Sequence, residues 1–140
     1  MKYDDASWHS GGDFPADLPP TAGATHSGMF LAWALLSGLG GSLHTDDFPE
    51  DLAALKARKL TPGAYFLRAS DGKFAVEDLN DEGNAFAQSY FDLQQGQYVK
   101  DYERTLGEDV PTLYHVADSW DNFDRLKVVL DERFLTWKAR

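Results

Sequence analysis

The most apolar stretch of the chain, residues 28–36, is the feature that most limits how it can fold. Large apolar side chains recur in this region at helical spacing, at Met29, Phe30, Trp33 and Leu36. Glycines at 38, 40 and 41 then end the pattern. The stretch is too short to cross a membrane, which takes about 20 apolar residues. We therefore predict a helix from about Thr25 that lies inside a globular core.

Cap and stop signals predict five further helices. One such signal is Thr61-Pro62, in which an N-cap residue precedes a proline at the first helical position. The predicted helices run from near Asp47 to Leu60, from Pro62 to about Arg68, from Leu79 to Phe91, from Tyr98 to Leu106, and from Asp118 or Ser119 almost to the C-terminus. The last is the clearest, because an apolar stripe repeats along it at Phe123, Leu126, Leu130, Phe134 and Trp137.

Two local features, residues 62–76 and Gly83, need separate interpretation. Residues 62–76 also fit a hairpin, because Asp71-Gly72 is a turn signal between two apolar runs, at 65–69 and 74–76. Gly83 lies on the apolar stripe of the helix over 79–91, where glycine costs about 1 kcal/mol relative to alanine. We expect another backbone to approach closely at Gly83.

Residues 1–23 contain prolines and glycines and lack helical periodicity. Their aromatic residues Tyr3, Trp8 and Phe14 favour order, since a disordered tail is normally poor in such side chains. The predicted fold is therefore all-α: a single compact domain over residues 1–140, with an ordered, irregular arm at 1–23 and a body of five or six helices at 24–140. A minor β-hairpin is the most β-structure that we expect.

Composition excludes several classes of function. Thirteen basic and 23 acidic residues give a net charge of −10, which argues against binding to nucleic acid or to anionic membranes. The chain has no cysteine, so disulfides, thiolate metal sites and cysteine nucleophiles are ruled out. Residues 1–5 carry acidic side chains and begin no apolar signal segment, which predicts a cytoplasmic protein.

The negative charge is concentrated in the first part of the chain. Eleven of the 23 acidic residues lie near predicted helix starts, where carboxylates stabilise the helix without any partner. Residues 1–55, however, hold one basic and eight acidic residues, a net charge of −7. We expect them to form a surface that attracts a basic protein. The residues predicted to bind the partner are Asp4, Asp5, Trp8, His9, Asp13, His26, Asp46 and Asp47.

The four histidines show no catalytic or metal-binding spacing of a known kind, and we predict no catalytic residue, metal or cofactor. An alternative stays open for His9 and His26, which lie in sequence near Asp4, Asp5 and Asp13. If the arm folds over the first helix, these side chains can form a metal site or an acid–base pair. The serines lack a nucleophile elbow, and the glycines at 38–41 lack the lysine of a phosphate-binding loop.

Trp8 differs from the other tryptophans because it lies outside any periodic segment, among polar and acidic neighbours. A tryptophan in such a place is a candidate hot spot for partner binding. It can equally anchor the arm on its own domain, and both interpretations stay open. Trp33 and Trp137 are at helical spacing and are predicted to lie in the core.

Specific phrases of the sequence resemble a family of small, uncharacterised bacterial proteins classed as a domain of unknown function. They are KYDDASWH at 2–9, GGDFP at 11–15, GATHSGMFLAW at 23–33, EDLNDEGN at 77–84, YHV at 114–116 and LDERFLTW at 130–137. The resemblance therefore extends over nearly the whole chain. It brings no catalytic residues with it. By analogy, small size and acidity are similar to those of immunity proteins of bacterial toxin systems.

Together these observations predict a non-enzymatic protein-binding module, such as an immunity protein that covers a basic toxin or effector surface. The alternative is a small hydrolase or metal-dependent enzyme that uses His9 and His26 with nearby carboxylates. A third interpretation is an oligomeric scaffold that uses the apolar first helix as its interface. The sequence does not decide the oligomeric state.

Overall fold

The computed structural model of the protein describes residues 1–92 and 96–140. Within these residues, seven α-helices pack together, and two short strands pair with each other. The helices are α1 (Thr25–Leu36), α2 (Ser42–Asp47), α3 (Pro49–Lys56), α4 (Pro62–Ala69), α5 (Asp81–Tyr90), α6 (Tyr98–Leu106) and α7 (Trp120–Ala139). The strands are β1 (Lys2–Asp5) and β2 (Lys73–Ala75). The prediction of an all-α fold in one compact domain is confirmed.

Helix α1 is the centre of the core, and every residue from Thr25 to Leu35 is buried. It packs against α4 at a pair of glycines, where a Cβ added to Gly28 would lie 2.9 Å from the Cα of Gly63. The prediction of a core helix from Thr25 is therefore confirmed. The interpretation of α1 as an interface between copies is wrong, because its apolar side chains are already covered by its own domain.

Side-chain caps fix the starts of α4 and α7 as the sequence indicates. Thr61 accepts a hydrogen bond from the backbone N–H of Ala64 at the start of α4, and Ser119 caps α7 in the same way. Asp118, the other candidate for the α7 cap, instead accepts hydrogen bonds from the Thr61 hydroxyl and the Gly63 N–H. It therefore ties the start of α7 to the start of α4.

The segment around Asp47 differs from the prediction of one helix over 47–60. Residues 42–47 form α2, and α3 begins at Pro49 and ends at Lys56. Phe48 between them has φ −130° and ψ 45°, which is not helical, and no side chain caps α3. Asp46 and Asp47 thus lie at the end of α2 and cap no helix, whereas Glu50 and Asp51 lie in the first turn of α3 as expected.

The arm over residues 1–23 is ordered through β1, which pairs antiparallel with β2. The phenol ring of Tyr3 lies 4.9 Å from the ring of Phe74, and both are buried. Of the two interpretations of residues 62–76, the structure has the helix, α4, and the strand at 73–75 pairs with the arm. Strand β1 therefore joins the arm to the core through Tyr3. Short 3₁₀-helices occupy Ala6–Trp8 and Pro20–Ala24.

Aromatic side chains fill the space between α1 and the C-terminal helices. Phe30 is surrounded by Phe74, Phe86, Phe91 and Tyr98, with ring centroids 5.0–6.2 Å apart. The expected close approach at Gly83 is confirmed, since a Cβ there would lie 2.6 Å from the carbonyl oxygen of Leu39. None of the described helices combines the length and the hydropathy needed to span a membrane.

Candidate functional site

The residues predicted to form one binding surface lie in different environments. Asp4, Asp5 and His26 are buried, and His9 is half-buried. The remaining four are exposed: Trp8, Asp13, Asp46 and Asp47. The prediction that Asp4 and Asp5 present carboxylates to a partner is therefore wrong. Inside the domain, Asp4 contacts the imidazoles of His9 and His26, and Asp5 pairs with the ammonium group of Lys2.

Asp4 is the centre of a group that we call the N-terminal cluster, formed by Asp4, His9, His26, Ser27 and Tyr114. His9 Nε2 lies 2.6 Å from Asp4 Oδ1, and His26 Nε2 lies 3.0 Å from Asp4 Oδ2. The two imidazole rings meet edge to face with centroids 4.6 Å apart. The sequence expectation that His9 and His26 meet when the arm folds over the first helix is confirmed.

Two hydroxyl groups complete the N-terminal cluster. The Ser27 hydroxyl donates a hydrogen bond to Asp4 Oδ2, and the Tyr114 hydroxyl lies 2.8 Å from His9 Nδ1. Since Ser27 donates to the carboxylate and contacts no imidazole nitrogen, the order of partners differs from that of a Ser-His-Asp triad. The cluster is therefore not arranged for a serine nucleophile.

The ionised form of Asp4 is stabilised by the hydrogen bonds that it accepts. Burial alone raises the pKa of Asp4, but hydrogen bonds from His26 and His9 outweigh it and hold that pKa well below its usual range. An ionised carboxylate can only accept, so both Nε2 atoms carry hydrogens. His26 Nδ1 is buried and has no hydrogen-bond partner in the described part of the chain.

The fold positions the cluster through four separate elements, of which α1 carries His26 and Ser27 and the 3₁₀-helix Leu113–His115 carries Tyr114. β1 carries Asp4, and the turn after the 3₁₀-helix Ala6–Trp8 carries His9. Gly23 lets this turn lie close to the start of α1, since a Cβ there would be 3.1 Å from the Cβ of His9. The cluster is therefore assembled only when the arm is docked.

Asp5 has a structural role next to the cluster. It accepts hydrogen bonds from the Ser7 N–H and hydroxyl and so caps the 3₁₀-helix that leads to His9. Lys2 Nζ lies 2.8 Å from its other oxygen. Principally through this ammonium group, the pKa of Asp5 falls to about 2.

A second buried group, which we call the His44 cluster, was missed by the sequence reasoning. It contains His44, Tyr65, Ser70 and Asp78. His44 Nε2 lies 2.8 Å from Asp78 Oδ1, and His44 Nδ1 lies 2.6 Å from the Tyr65 hydroxyl. Asp78 also accepts from the Ser70 hydroxyl and the Ala75 N–H. Its members are separated in sequence and share no motif that could have indicated it.

The exposed acidic residues Asp46 and Asp47 line what we call the acidic groove, with a volume of about 660 Å³. The opposite side carries Glu77, on the segment that leads into α5, and Asp81, the first residue of α5. The Gly41 N–H donates to the Asp78 carbonyl oxygen and holds the two sides together. No lysine or arginine lines the groove, and among the described residues none of these four carboxylates makes an ion pair.

Trp8 and Asp13 lie away from these residues. Trp8 is 55% exposed, and Lys2 Nζ lies 5.3 Å from the centre of its ring. With Met1, Tyr3 and Phe91 it borders a groove of its own. The exposure suits a residue that contacts a partner. A role in partner binding remains a prediction for both residues.

The fold and its buried clusters define a small all-α domain whose N-terminal strand completes the core. The chain belongs to the family known as the domain of unknown function DUF7832, whose model matches residues 2–116. The predicted resemblance to such a family is thereby confirmed. The matched segment contains both clusters and the acidic groove and ends before α7. No curated protein and no solved structure matches the chain significantly.

Proposed function

We propose that the domain is a non-enzymatic binding module that receives a basic segment of a partner protein in the acidic groove. The observation that carries the proposal is the set of four unpaired carboxylates on the two sides of this groove. Like charges held near one another repel, so the free domain pays a small electrostatic cost. Lysine and arginine side chains of a partner would remove that cost and add charge complementarity.

The acidic groove differs from other exposed acidic positions of the domain. There, several carboxylates are matched by a cation of the same chain, as in the pairs Asp51–Arg68, Glu82–Lys138, Asp124–Arg58 and Asp131–Lys127. Others make no ion pair among the described residues, such as Glu103 and Glu108, but they do not line the groove. Asp46 and Asp47 cap no helix, whereas Asp81 lies in the first turn of α5, where a carboxylate also stabilises the helix. The uncompensated charge of the groove is therefore available to a partner.

An immunity protein that neutralises a basic toxin or effector is the kind of binding module that we favour. Its partner is expected to present lysine and arginine on a convex element that fits the groove. The net charge of −10 disfavours nucleic acid and anionic membranes as partners. We place this function in the cytoplasm, in keeping with a chain that contains no cysteine.

A titration with a synthetic lysine- and arginine-rich peptide tests the groove directly. Backbone amide shifts followed by NMR are expected to change around residues 40–47 and 77–82, and to weaken as salt is added. A peptide in which glutamate replaces the basic residues serves as the control and is expected to cause no shifts. Shifts spread evenly over the surface, or centred elsewhere, contradict the proposal.

A charge-neutral variant sharpens the test. Asp46→Asn with Asp47→Asn is expected to weaken peptide binding about two- to thirtyfold, from about 0.2–1 kcal/mol for each exposed charge. Glu103→Gln with Glu108→Gln removes the same charge from the exposed surface near α6 and is the matched control. Equal weakening in both variants would mean that only net charge matters and that the groove is not the site.

A further inference from the structure

The N-terminal cluster contains three metal-ligating groups that face a common point. One oxygen of Asp4 and one ring nitrogen each of His9 and His26 all lie within 4.8 Å of one another. Both imidazoles approach the same carboxylate through Nε2, at 2.6 and 3.0 Å. Two imidazoles and a carboxylate are a donor set that divalent transition metals such as Zn²⁺ bind in proteins.

We propose that Asp4, His9 and His26 bind one divalent transition-metal ion, with Zn²⁺ as the preferred occupant. Bond lengths of 2.0–2.2 Å in tetrahedral geometry require donors about 3.3 Å apart. The observed separations are 2.6 Å from His9 Nε2 to Asp4 Oδ1 and 3.0 Å from His26 Nε2 to Asp4 Oδ2, which is about 0.7 and 0.3 Å shorter, so the ligands must move apart to admit the ion. His9 lies on a turn with its side chain 16% exposed, and it has the freedom to make that movement.

Internal hydrogen bonding does not account for this arrangement as it does for the His44 cluster. There, both nitrogens of one imidazole have partners. In the N-terminal cluster, two imidazoles share one carboxylate, and the buried Nδ1 of His26 has no partner among the described residues. A metal ion in place of the two Nε2 hydrogens would join all three side chains at this point, and it would leave Nδ1 of His26 unchanged.

Tyr114 supplies the support that metal-bound histidines normally have. Its hydroxyl lies 2.8 Å from His9 Nδ1, the nitrogen that remains free when Nε2 binds a metal. Such an outer partner fixes the orientation of the ring. With three protein donors, a tetrahedral ion keeps a fourth position for water or another ligand.

The test is a titration of the purified full chain, freed of metal, with Zn²⁺ by calorimetry and with Co²⁺ by visible absorption. We expect one ion per chain, and a Co²⁺ spectrum of the intense kind that tetrahedral coordination gives. The proposal is overturned if neither ion binds saturably, or if binding proves to be nonspecific, with several weak ions per chain.

Variants identify the ligands. His9→Ala is expected to abolish the Co²⁺ spectrum, and Tyr114→Phe is expected to weaken Zn²⁺ binding about 10- to 100-fold. His115→Ala is the matched control, because His115 pairs with Asp17 at the surface, outside the cluster. His26→Gln provides a second ligand variant if His9→Ala fails to fold, as judged by circular dichroism. Unchanged binding in the ligand variants, or equal loss in His115→Ala, overturns the assignment.

Discussion

The N-terminal cluster and the His44 cluster use the same chemistry in different ways. Each places a buried aspartate against imidazole nitrogens and adds a tyrosine hydroxyl and a serine. In the His44 cluster, one carboxylate serves one imidazole, and both ring nitrogens are partnered. In the N-terminal cluster, one carboxylate contacts two imidazoles, and His26 Nδ1 has no hydrogen-bond partner among the described residues.

This difference teaches how to separate a structural pair from a candidate site. A buried polar group that is fully satisfied needs no external ligand, because its hydrogen bonds already offset the loss of water. The His44 cluster meets that condition and joins α2 and α4 to the segment before α5. In the N-terminal cluster, His26 Nδ1 has no hydrogen-bond partner among the described residues, and the His9 side chain is partly exposed to solvent. Burial of a His–Asp pair alone is therefore a poor indicator of function.

The largest effect is expected from removing the carboxylate of the His44 cluster. Asp78→Ala leaves His44, the Ser70 hydroxyl and the Ala75 N–H without their acceptor in the interior. We expect a loss of about 3–5 kcal/mol in the free energy of unfolding, measured with urea. The exposed neighbour variant Glu77→Ala is expected to stay within about 0.5 kcal/mol of the unaltered chain. Similar losses in both would show that the network does not stabilise the fold.

The second effect concerns Asp4 and depends on pH. Because the folded-state pKa of Asp4 lies below the unfolded value of about 3.9, its stabilisation is present above that pH and is lost as the pH falls through the folded-state pKa. Asp4→Asn is expected to cost about 1–3 kcal/mol at pH 7.

Urea unfolding of the Asp4→Asn variant and of the unaltered chain at pH 7, 4 and 3 measures this dependence. The difference between the two chains is expected to shrink as the solution becomes more acidic. A gap that stays constant over this range would mean that the charge of Asp4 contributes nothing, and that only the shape of its side chain matters.

The smallest effect is expected at Tyr114 of the N-terminal cluster, and Tyr65 of the His44 cluster is the residue to compare it with. Tyr65→Phe leaves His44 Nδ1 without a partner in a fully buried place and is expected to cost about 1–3 kcal/mol. Tyr114→Phe is expected to cost about 0.5–1 kcal/mol, because the partly exposed His9 ring can bond to water instead. Urea unfolding of the two variants side by side measures both costs. A larger loss at Tyr114 would reverse our ranking of the two clusters.

Helices marked by local signals were predictable from the sequence. Thr61-Pro62, Gly107 and Ser119 fix helix ends through contacts within a few residues, and the structure has those ends where the sequence indicates them. The break at Phe48 is marked by Pro49, since the residue before a proline is disfavoured in the helical region, but the predicted helix began only near Asp47 and left the preceding residues unassigned. The segment over 42–47 therefore escaped notice as a helix.

The candidate sites were predictable only in part, since long-range contacts decide them. The meeting of His9 with His26 could be expected from a folded arm, but the burial of Asp4 depends on β1 pairing with β2. Tyr114 reaches His9 across 105 positions of sequence. No local pattern contains such information, which explains why Asp4 was assigned to the outer surface.

The pairing of β1 with β2 has a consequence for biosynthesis. Residues 2–5 leave the ribosome well before residues 73–75, from which 67 intervening positions separate them. At 5–20 residues per second, the first strand waits about 3–13 s for its partner to be synthesised. During that interval Tyr3 has no ring to pack against, so the nascent chain must stay soluble, or be shielded by a chaperone, until the second strand emerges.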